Sequence, residues 1–66
     1  MTLPDRIELY LLQQPKRYAS FDNLAANLDM DGAKRAELLG ALRGLYNVSR
    51  ITRIGLDIWA IPEKLK

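Results

Sequence analysis

An apolar stripe between Asp31 and Tyr46 constrains the fold of this chain more than any other feature. Leu38, Leu42 and Leu45 recur at the spacing of an α-helix, so they share one face if the stretch is a single helix. We predict that this helix runs from Asp31 to Tyr46 and buries the leucine face against the rest of the chain.

Both ends of the predicted helix have suitable capping residues. Asp31 precedes the first turn, where its carboxylate can accept free amide hydrogens. Asn47 follows the last apolar position and can adopt the left-handed conformation that ends a helix. The sequence therefore predicts Asp31 as the N-cap and Asn47 as the residue that terminates the helix.

The face opposite the leucines has mostly small side chains and no large apolar one, and it is predicted to be exposed. It carries Ala33, Ala36, Glu37, Gly40, Arg43 and Gly44. Two glycines inside one helix cost roughly 1 kcal/mol each relative to alanine. This cost favours a use of the smooth surface for the close approach of another backbone, and simple tolerance of small residues is the alternative.

The N-terminal segment predicts a first helix that Thr2 caps and that stops before Pro15. Its core face carries Leu3, Ile7, Tyr10 and Leu11. Leu9 and Leu12 point nearly the opposite way, so the helix is expected to be covered on two sides. The second cover is either the chain's own residues Trp59–Leu65 or another copy of the protein, and the sequence leaves both alternatives open.

The next segments predict a short strand and a second helix. Tyr18–Ala19 can form the strand, and Ser20–Leu28 forms the helix, in which the Ser20 side chain caps the first turn. The turn that follows contains Met30, which we expect to reach into the core.

After Asn47 the pattern changes to that of a β-hairpin. Val48–Ile54 and Leu56–Ile61 are rich in β-branched and aromatic residues, with Gly55 between them at the turn. A two-residue loop at Gly55 and Leu56 would place Ile51 and Ile58 on one face. Ile54, Trp59 and Ile61 would then lie on the other face, and a slip of one residue reverses which set is buried. Trp59 is expected to anchor the core or an interface, because tryptophan has a large apolar area.

Composition argues against catalysis. The chain has neither cysteine nor histidine, so thiolate metal sites, disulfides and a histidine base are excluded. Ser20 and Ser49 therefore lack a histidine partner, and neither a glycine-rich phosphate loop nor a spacing of metal ligands is present. We expect no enzyme activity, no cofactor and no bound metal. Neither a membrane-spanning run nor a leader pattern is evident, so a soluble cytoplasmic protein is expected.

Charge is distributed unevenly along the chain. Residues 34–53 contain five basic side chains and one acidic side chain, a net charge of +4, whereas residues 1–33 carry −2. A basic half could meet an anionic partner, and a solvated surface of mixed sign is the alternative.

The order helix, short strand, helix, turn, helix and hairpin resembles that of winged helix-turn-helix domains. Ser20–Leu28 is similar to the second helix of bacterial winged-helix regulators, with a capping hydroxyl followed by Leu-Ala-x-x-Leu. Met30 and Asp31 are similar to the apolar residue and cap of their turn. The spacing of Leu38, Leu42, Leu45, Asn47 and Val48 is similar to the end of their third helix and the start of the wing. The resemblance implies one mainly α-helical domain over residues 1–66, with three helices and a C-terminal hairpin wing.

Such a resemblance implies binding to double-stranded DNA by a small transcriptional regulator, of the kind found on bacterial chromosomes, plasmids or phages. In this class the third helix enters the major groove and the wing touches the neighbouring backbone or the minor groove. Carried over by position, Lys34 and Arg35 face phosphate near the start of the helix, Arg43 lies on its exposed face, and Arg50 and Arg53 lie on the wing. Five phosphate contacts from one copy give modest, salt-sensitive affinity, so we expect a homodimer or cooperative binding.

The alternative is a winged-helix module for protein–protein interaction or oligomerisation, without sequence-specific DNA binding. It is motivated by the smooth face of the third helix and by the two-sided first helix. The interface residues predicted for such a partner are Leu9, Leu12, Gly40 and Gly44.

Overall fold

The computed structural model describes residues 1–62. They form three α-helices, one 3-10 turn and a three-stranded antiparallel sheet. The elements in chain order are α1 (Leu3–Gln13), β1 (Tyr18–Ser20), α2 (Phe21–Asn27), the 3-10 turn (Gly32–Lys34), α3 (Arg35–Asn47), β2 (Thr52–Arg53) and β3 (Ile58–Ala60). This layout is compatible with a winged helix. Leu65, part of the predicted cover for α1, lies outside the described residues.

Helix α1 begins at a capping box, as predicted. The Asp5 amide donates to the Thr2 hydroxyl at 3.3 Å, and the Thr2 amide donates to the Asp5 carboxylate at 3.4 Å. The helix ends at Gln13, shortly before Pro15. Its predicted inner face is confirmed, since Ile7 and Leu11 are fully buried.

Helix α2 is also fixed by a side-chain cap. The Asn23 amide donates to the Ser20 hydroxyl at 3.1 Å, which confirms Ser20 as the N-cap. At the other end of α2, the Arg6 guanidinium donates to the Leu28 carbonyl at 3.0 Å. This hydrogen bond fastens the end of α2 to α1, and the Met30 side chain is buried beyond it, as expected.

The prediction of one continuous helix from Asp31 to Tyr46 is wrong at its start. Gly32–Lys34 form a 3-10 turn, and the α-helix begins only at Arg35. Gly32 has a φ of +69°, which an uninterrupted right-handed helix cannot include. The Asp31 side chain makes no capping hydrogen bond, and its carboxylate lies 3.5 Å from the Arg35 guanidinium instead.

The C-terminal end of α3 is also displaced from the prediction. Asn47 is the last residue of the helix, and the left-handed residue is Ser49, with a φ of 64°. The Ser49 amide donates to the Tyr46 carbonyl at 3.1 Å, and the Arg50 amide donates to the Leu45 carbonyl at 2.9 Å. These bonds satisfy carbonyls of the last turn, so Ser49 does what was expected of Asn47.

Strand β3 lies in the middle of the sheet, in the order β1-β3-β2. Trp59 is paired with Ala19 on one side and with Arg53 on the other. The hairpin and the short strand predicted near Tyr18 therefore form one sheet, which sequence reasoning did not anticipate.

The hairpin loop is longer than the predicted two-residue alternative. The Ile54 amide donates to the Ile58 carbonyl at 3.0 Å, which leaves three residues, Gly55 to Asp57, at the tip. Trp59 and Ile51 are buried together, at 5% and 1% exposure, whereas Ile54 is 56% exposed. The predicted two-residue loop is therefore one residue too short. As a result, Ile51 faces the core with Trp59 rather than with Ile58.

The hydrophobic core lies between the helices and the inner face of the sheet. The predicted leucine stripe is confirmed, because Leu38 and Leu42 are fully buried and Leu45 is nearly so. The core cluster consists of Ile7, Leu11, Ala19, Leu24, Ala25, Leu28, Met30, Leu38, Leu42, Leu45, Ile51 and Trp59.

Candidate nucleic-acid interface

A cleft of about 320 Å³ lies between α3 and the hairpin. Helix α2 contributes Phe21 to the lining, so side chains from α2, α3 and the hairpin meet in this cleft. The cleft is lined by Phe21, Leu39, Arg43, Arg53, Asp57 and Trp59. It therefore combines two cations and one carboxylate with the apolar side chains of Phe21, Leu39 and Trp59.

Arg53 is held in the cleft by its own hairpin. Its Nε and Nη2 atoms donate to the Leu56 carbonyl at 3.1 and 2.6 Å. Its guanidinium carbon lies 5.4 Å from the centre of the Trp59 ring, within the range of a cation–π contact. These contacts hold the guanidinium of a residue that lines the cleft, and they involve no carboxylate, so Arg53 has no ion-pair partner among residues 1–62.

Arg43 reaches the cleft from the exposed side of α3. Within the described part of the chain, no carboxylate oxygen lies within 4.0 Å of Arg43 or of Lys34. Lys34 is exposed in the 3-10 turn and does not line the cleft. Arg43, Arg53 and Lys34 are thus the predicted contact residues that offer a charge without an ion pair in residues 1–62.

Arg35 has a different environment. Its Nη2 atom donates to the Asp22 carboxylate at 2.7 Å, and its guanidinium carbon lies 5.3 Å from the centre of the Phe21 ring. The hydrogen bond to Asp22 raises the pKa of Arg35 above its ordinary value. These contacts join the start of α3 to α2, so the structure uses Arg35 to connect two helices.

Arg50 forms a second long-range ion pair. Its Nε and Nη2 atoms donate to the two Glu8 carboxylate oxygens at 2.7 and 3.1 Å. This bidentate hydrogen bonding raises the pKa of Arg50. Arg50 precedes β2, which begins at Thr52, so its side chain links the connection after α3 to α1.

The predicted partner-interface residues are all exposed but form two separate sets. Leu9 and Leu12 are 43% and 46% exposed on the outer side of α1. Gly40 and Gly44 lie on the exposed side of α3, and a Cβ atom built on either meets no atom within 4 Å. Trp59 is buried in the sheet beside Tyr46, with ring centres 6.1 Å apart, which confirms it as a core anchor.

Sequence reasoning missed two features of this region. Asp57 lines the cleft and lowers its positive charge. The only feature of the sequence that could have indicated this role is the position of a carboxylate close to the predicted turn. Ile54 and Leu56 are 56% and 79% exposed beside it, so the end of the hairpin also presents two apolar side chains. The alternating pattern of the hairpin could have indicated an exposed Ile54 only if the loop length had been known.

Residues 1–62 contain neither a cluster of metal ligands nor a membrane-spanning helix. Among residues 1–62, no three acidic, cysteine or histidine side chains converge as metal ligands. No described helix has the length and apolar character needed to cross a membrane. In comparisons with known proteins, no protein-family model, curated protein or solved structure matches the chain.

Proposed function

We propose that this chain is a winged helix-turn-helix domain that binds duplex DNA as a small transcriptional regulator in the cytoplasm. The order of its helices and the hairpin after α3 support this assignment. In such domains the third helix and the wing contact the same duplex.

One observation carries the proposal: Arg43 on α3 and Arg53 on the hairpin line the same cleft. Two cations from separate elements can therefore meet one stretch of phosphate backbone. Arginine suits this contact because its planar guanidinium can donate two parallel hydrogen bonds to phosphate.

Charge around α3 favours an approach through its C-terminal half. The start of the helix is flanked by Asp22 and Asp31, which engage Arg35, and by the exposed Glu37. These three carboxylates outnumber the two cations Lys34 and Arg35, so the start of the helix attracts phosphate less than the C-terminal half does. We therefore place the duplex against Arg43 and the hairpin, with Lys34 at the margin of the contact.

The smooth face of α3 limits direct reading of bases. Its exposed residues Ala36, Gly40 and Gly44 have no side chain that can hydrogen-bond a base. Arg43 is the side chain on this face best suited to guanine. Binding is thus expected to depend mainly on phosphate contacts, which position a protein without specifying sequence.

Titration of the protein into a labelled mixed-sequence duplex at 50 and 200 mM salt tests the proposal. If Lys34, Arg43 and Arg53 each neutralise one phosphate, the slope of log affinity against log salt is about −2.7. Affinity then falls by about 40-fold between the two salt concentrations, and by about 2,000-fold if a dimer doubles the contacts. Fluorescence anisotropy measures the affinity at each salt concentration, and the two affinities give the slope.

Matched variants make the test specific to the cleft. Arg43→Ala and Arg53→Ala should each reduce the magnitude of the salt slope by about 0.9 for each copy bound. Arg17→Gln removes the same charge from an exposed residue that does not line the cleft. Equal losses of duplex affinity in all three variants would indicate non-specific electrostatic attraction alone. That result would contradict a binding role for the cleft.

A second candidate function is a protein-interaction module. It is favoured by the exposed Leu9 and Leu12, which residues 1–62 leave uncovered. Absence of duplex binding at 50 mM salt would support this candidate over a DNA-binding regulator.

A further inference from the structure

The carboxylate of Asp57 is a feature of the cleft that phosphate binding does not explain. Asp57 is exposed and lines the cleft together with Arg43 and Arg53. Among residues 1–62, however, no guanidinium or ammonium nitrogen lies within 4.0 Å of its carboxylate oxygens. The cleft therefore presents two cations and a carboxylate that has no ion-pair partner in this part of the chain.

Backbone contacts of the hairpin hold both charges in place. The Asp57 carbonyl accepts a hydrogen bond from the Phe21 amide at 2.7 Å, which fastens the end of the hairpin to the start of α2. One residue earlier, the Leu56 carbonyl accepts two hydrogen bonds from the Arg53 guanidinium, at 3.1 and 2.6 Å. Because Arg53 is bound to a carbonyl, the Asp57 carboxylate is available to a ligand.

The chemistry of Asp57 selects against phosphate and in favour of a hydrogen-bond donor. An ionised carboxylate has acceptor oxygens only, so it repels a phosphate oxygen and attracts an N–H group. In the major groove, a carboxylate pairs with the exocyclic amino group of cytosine. The guanine of the same base pair presents two acceptors that suit Arg43, which lines the same cleft.

We propose that Asp57 is a specificity-determining residue that accepts a hydrogen bond from the amino group of cytosine, so that the cleft favours a G·C pair. This role rests on the DNA binding proposed above. It places a discriminating group on the hairpin, whereas the small exposed residues of α3 offer none. Where phosphate or a base carbonyl faces Asp57, repulsion weakens the complex and lowers affinity for non-specific sites.

Replacement of Asp57 by asparagine tests the repulsion of phosphate. The amide keeps the size of the side chain and removes its charge. Affinity for a labelled mixed-sequence duplex at about 100 mM salt should rise by about threefold in fluorescence anisotropy. Glu37→Gln is the matched control, because it removes the same charge from an exposed residue that does not line the cleft. Its gain should stay below about 1.5-fold, since salt screens distant charges.

Selection from a pool of duplexes with a randomised central segment tests the preference for cytosine. The wild-type chain and Glu37→Gln should enrich a G·C pair at one fixed position. Asp57→Asn should lose this preference, because its amide can donate to a base as well as accept from it. Asp57→Ala removes the acceptor altogether and should lose the preference too.

A base analogue isolates the proposed hydrogen bond at the selected position. Replacement of the cytosine by 2-pyrimidinone removes only the amino group and leaves the guanine opposite in place. The wild-type chain should lose about tenfold in affinity, as expected for a hydrogen bond to a charged group. Asp57→Asn should lose less than about threefold, and its loss measures any effect of the analogue on the duplex itself.

The role of Asp57 is wrong if Asp57→Asn gains no more affinity than Glu37→Gln. It is also wrong if the wild-type chain and Asp57→Asn select the same sequences, or if the analogue weakens both equally. In each of these cases the wild-type chain still binds duplex in a salt-dependent manner, so the proposed DNA binding stands. Absence of duplex binding by the wild-type chain would refute the DNA-binding function and the role of Asp57 together.

Discussion

Replacement of Gly40 and Gly44 by alanine should stabilise the protein. Both glycines lie inside α3, and a Cβ atom at either position meets no atom within 4 Å. Neither has a φ in the left-handed region. Alanine is therefore accommodated without a clash, and it lowers the backbone entropy that folding loses.

The size of the effect follows from helix propensity. Each replacement is expected to add about 1 kcal/mol to the free energy of unfolding, so the double variant gains about 2 kcal/mol. In a domain of this length, 1 kcal/mol shifts the melting temperature by about 4–8 °C. The double variant should therefore melt about 8–16 °C higher in circular dichroism at 222 nm, with a parallel rise in the urea midpoint.

Gly32→Ala is the matched control. Its position is also open, but its φ is +69°, so alanine should cost about 1 kcal/mol there. If Gly40→Ala/Gly44→Ala leaves the melting temperature unchanged or lowers it while Gly32→Ala destabilises, the conclusion that the α3 surface is open in the free protein is refuted.

The same variants address why a helix keeps two unfavourable residues. If DNA approaches this face closely, Gly40→Ala/Gly44→Ala should bind duplex more weakly although it is more stable. Unchanged affinity would show that the smooth face has no part in DNA contact and would leave Arg43 and Arg53 as the test of the cleft.

Three further substitutions examine the local structure. Ser20→Ala removes the hydroxyl that accepts the Asn23 amide and should lower the free energy of unfolding by about 1 kcal/mol in urea titration, whereas an unchanged value would contradict its capping role. Glu8→Gln weakens the pair with Arg50 and should lower the free energy of unfolding only slightly, because Arg50 is 61% exposed. The loss should shrink as salt is raised, and a loss independent of salt would contradict an electrostatic origin. Leu56→Ser should change the free energy of unfolding by no more than about 0.5 kcal/mol in the same titration, since Leu56 is 79% exposed, and a larger loss would show that the tip is covered in solution.

The helices and most of their inward faces follow from the sequence because their causes are local. The spacing of Leu38, Leu42 and Leu45 defines a buried stripe whatever it packs against. The caps at Thr2 and Ser20 act over three residues, so their hydrogen bonds are readable before any tertiary contact is known. The capping hydrogen bond predicted for the Asp31 side chain is absent, because its carboxylate pairs with Arg35 instead.

The candidate site depended on contacts that no local pattern encodes. Five basic residues looked equivalent in the sequence, but Arg35 meets Asp22 across 13 positions and Arg50 meets Glu8 across 42. Only packing of the helices decides which carboxylate lies within hydrogen-bonding distance of which arginine.

The sequence by itself determined the order of elements, the leucine core of α3 and the uneven distribution of charge. Tertiary structure alone decided the three-residue hairpin tip, the pairing of β1 with β3, and the meeting of Arg43 with Arg53 at one cleft. Helix faces and caps arise from neighbours within one or two turns, whereas strand register and ion pairs across the chain depend on how the whole core closes.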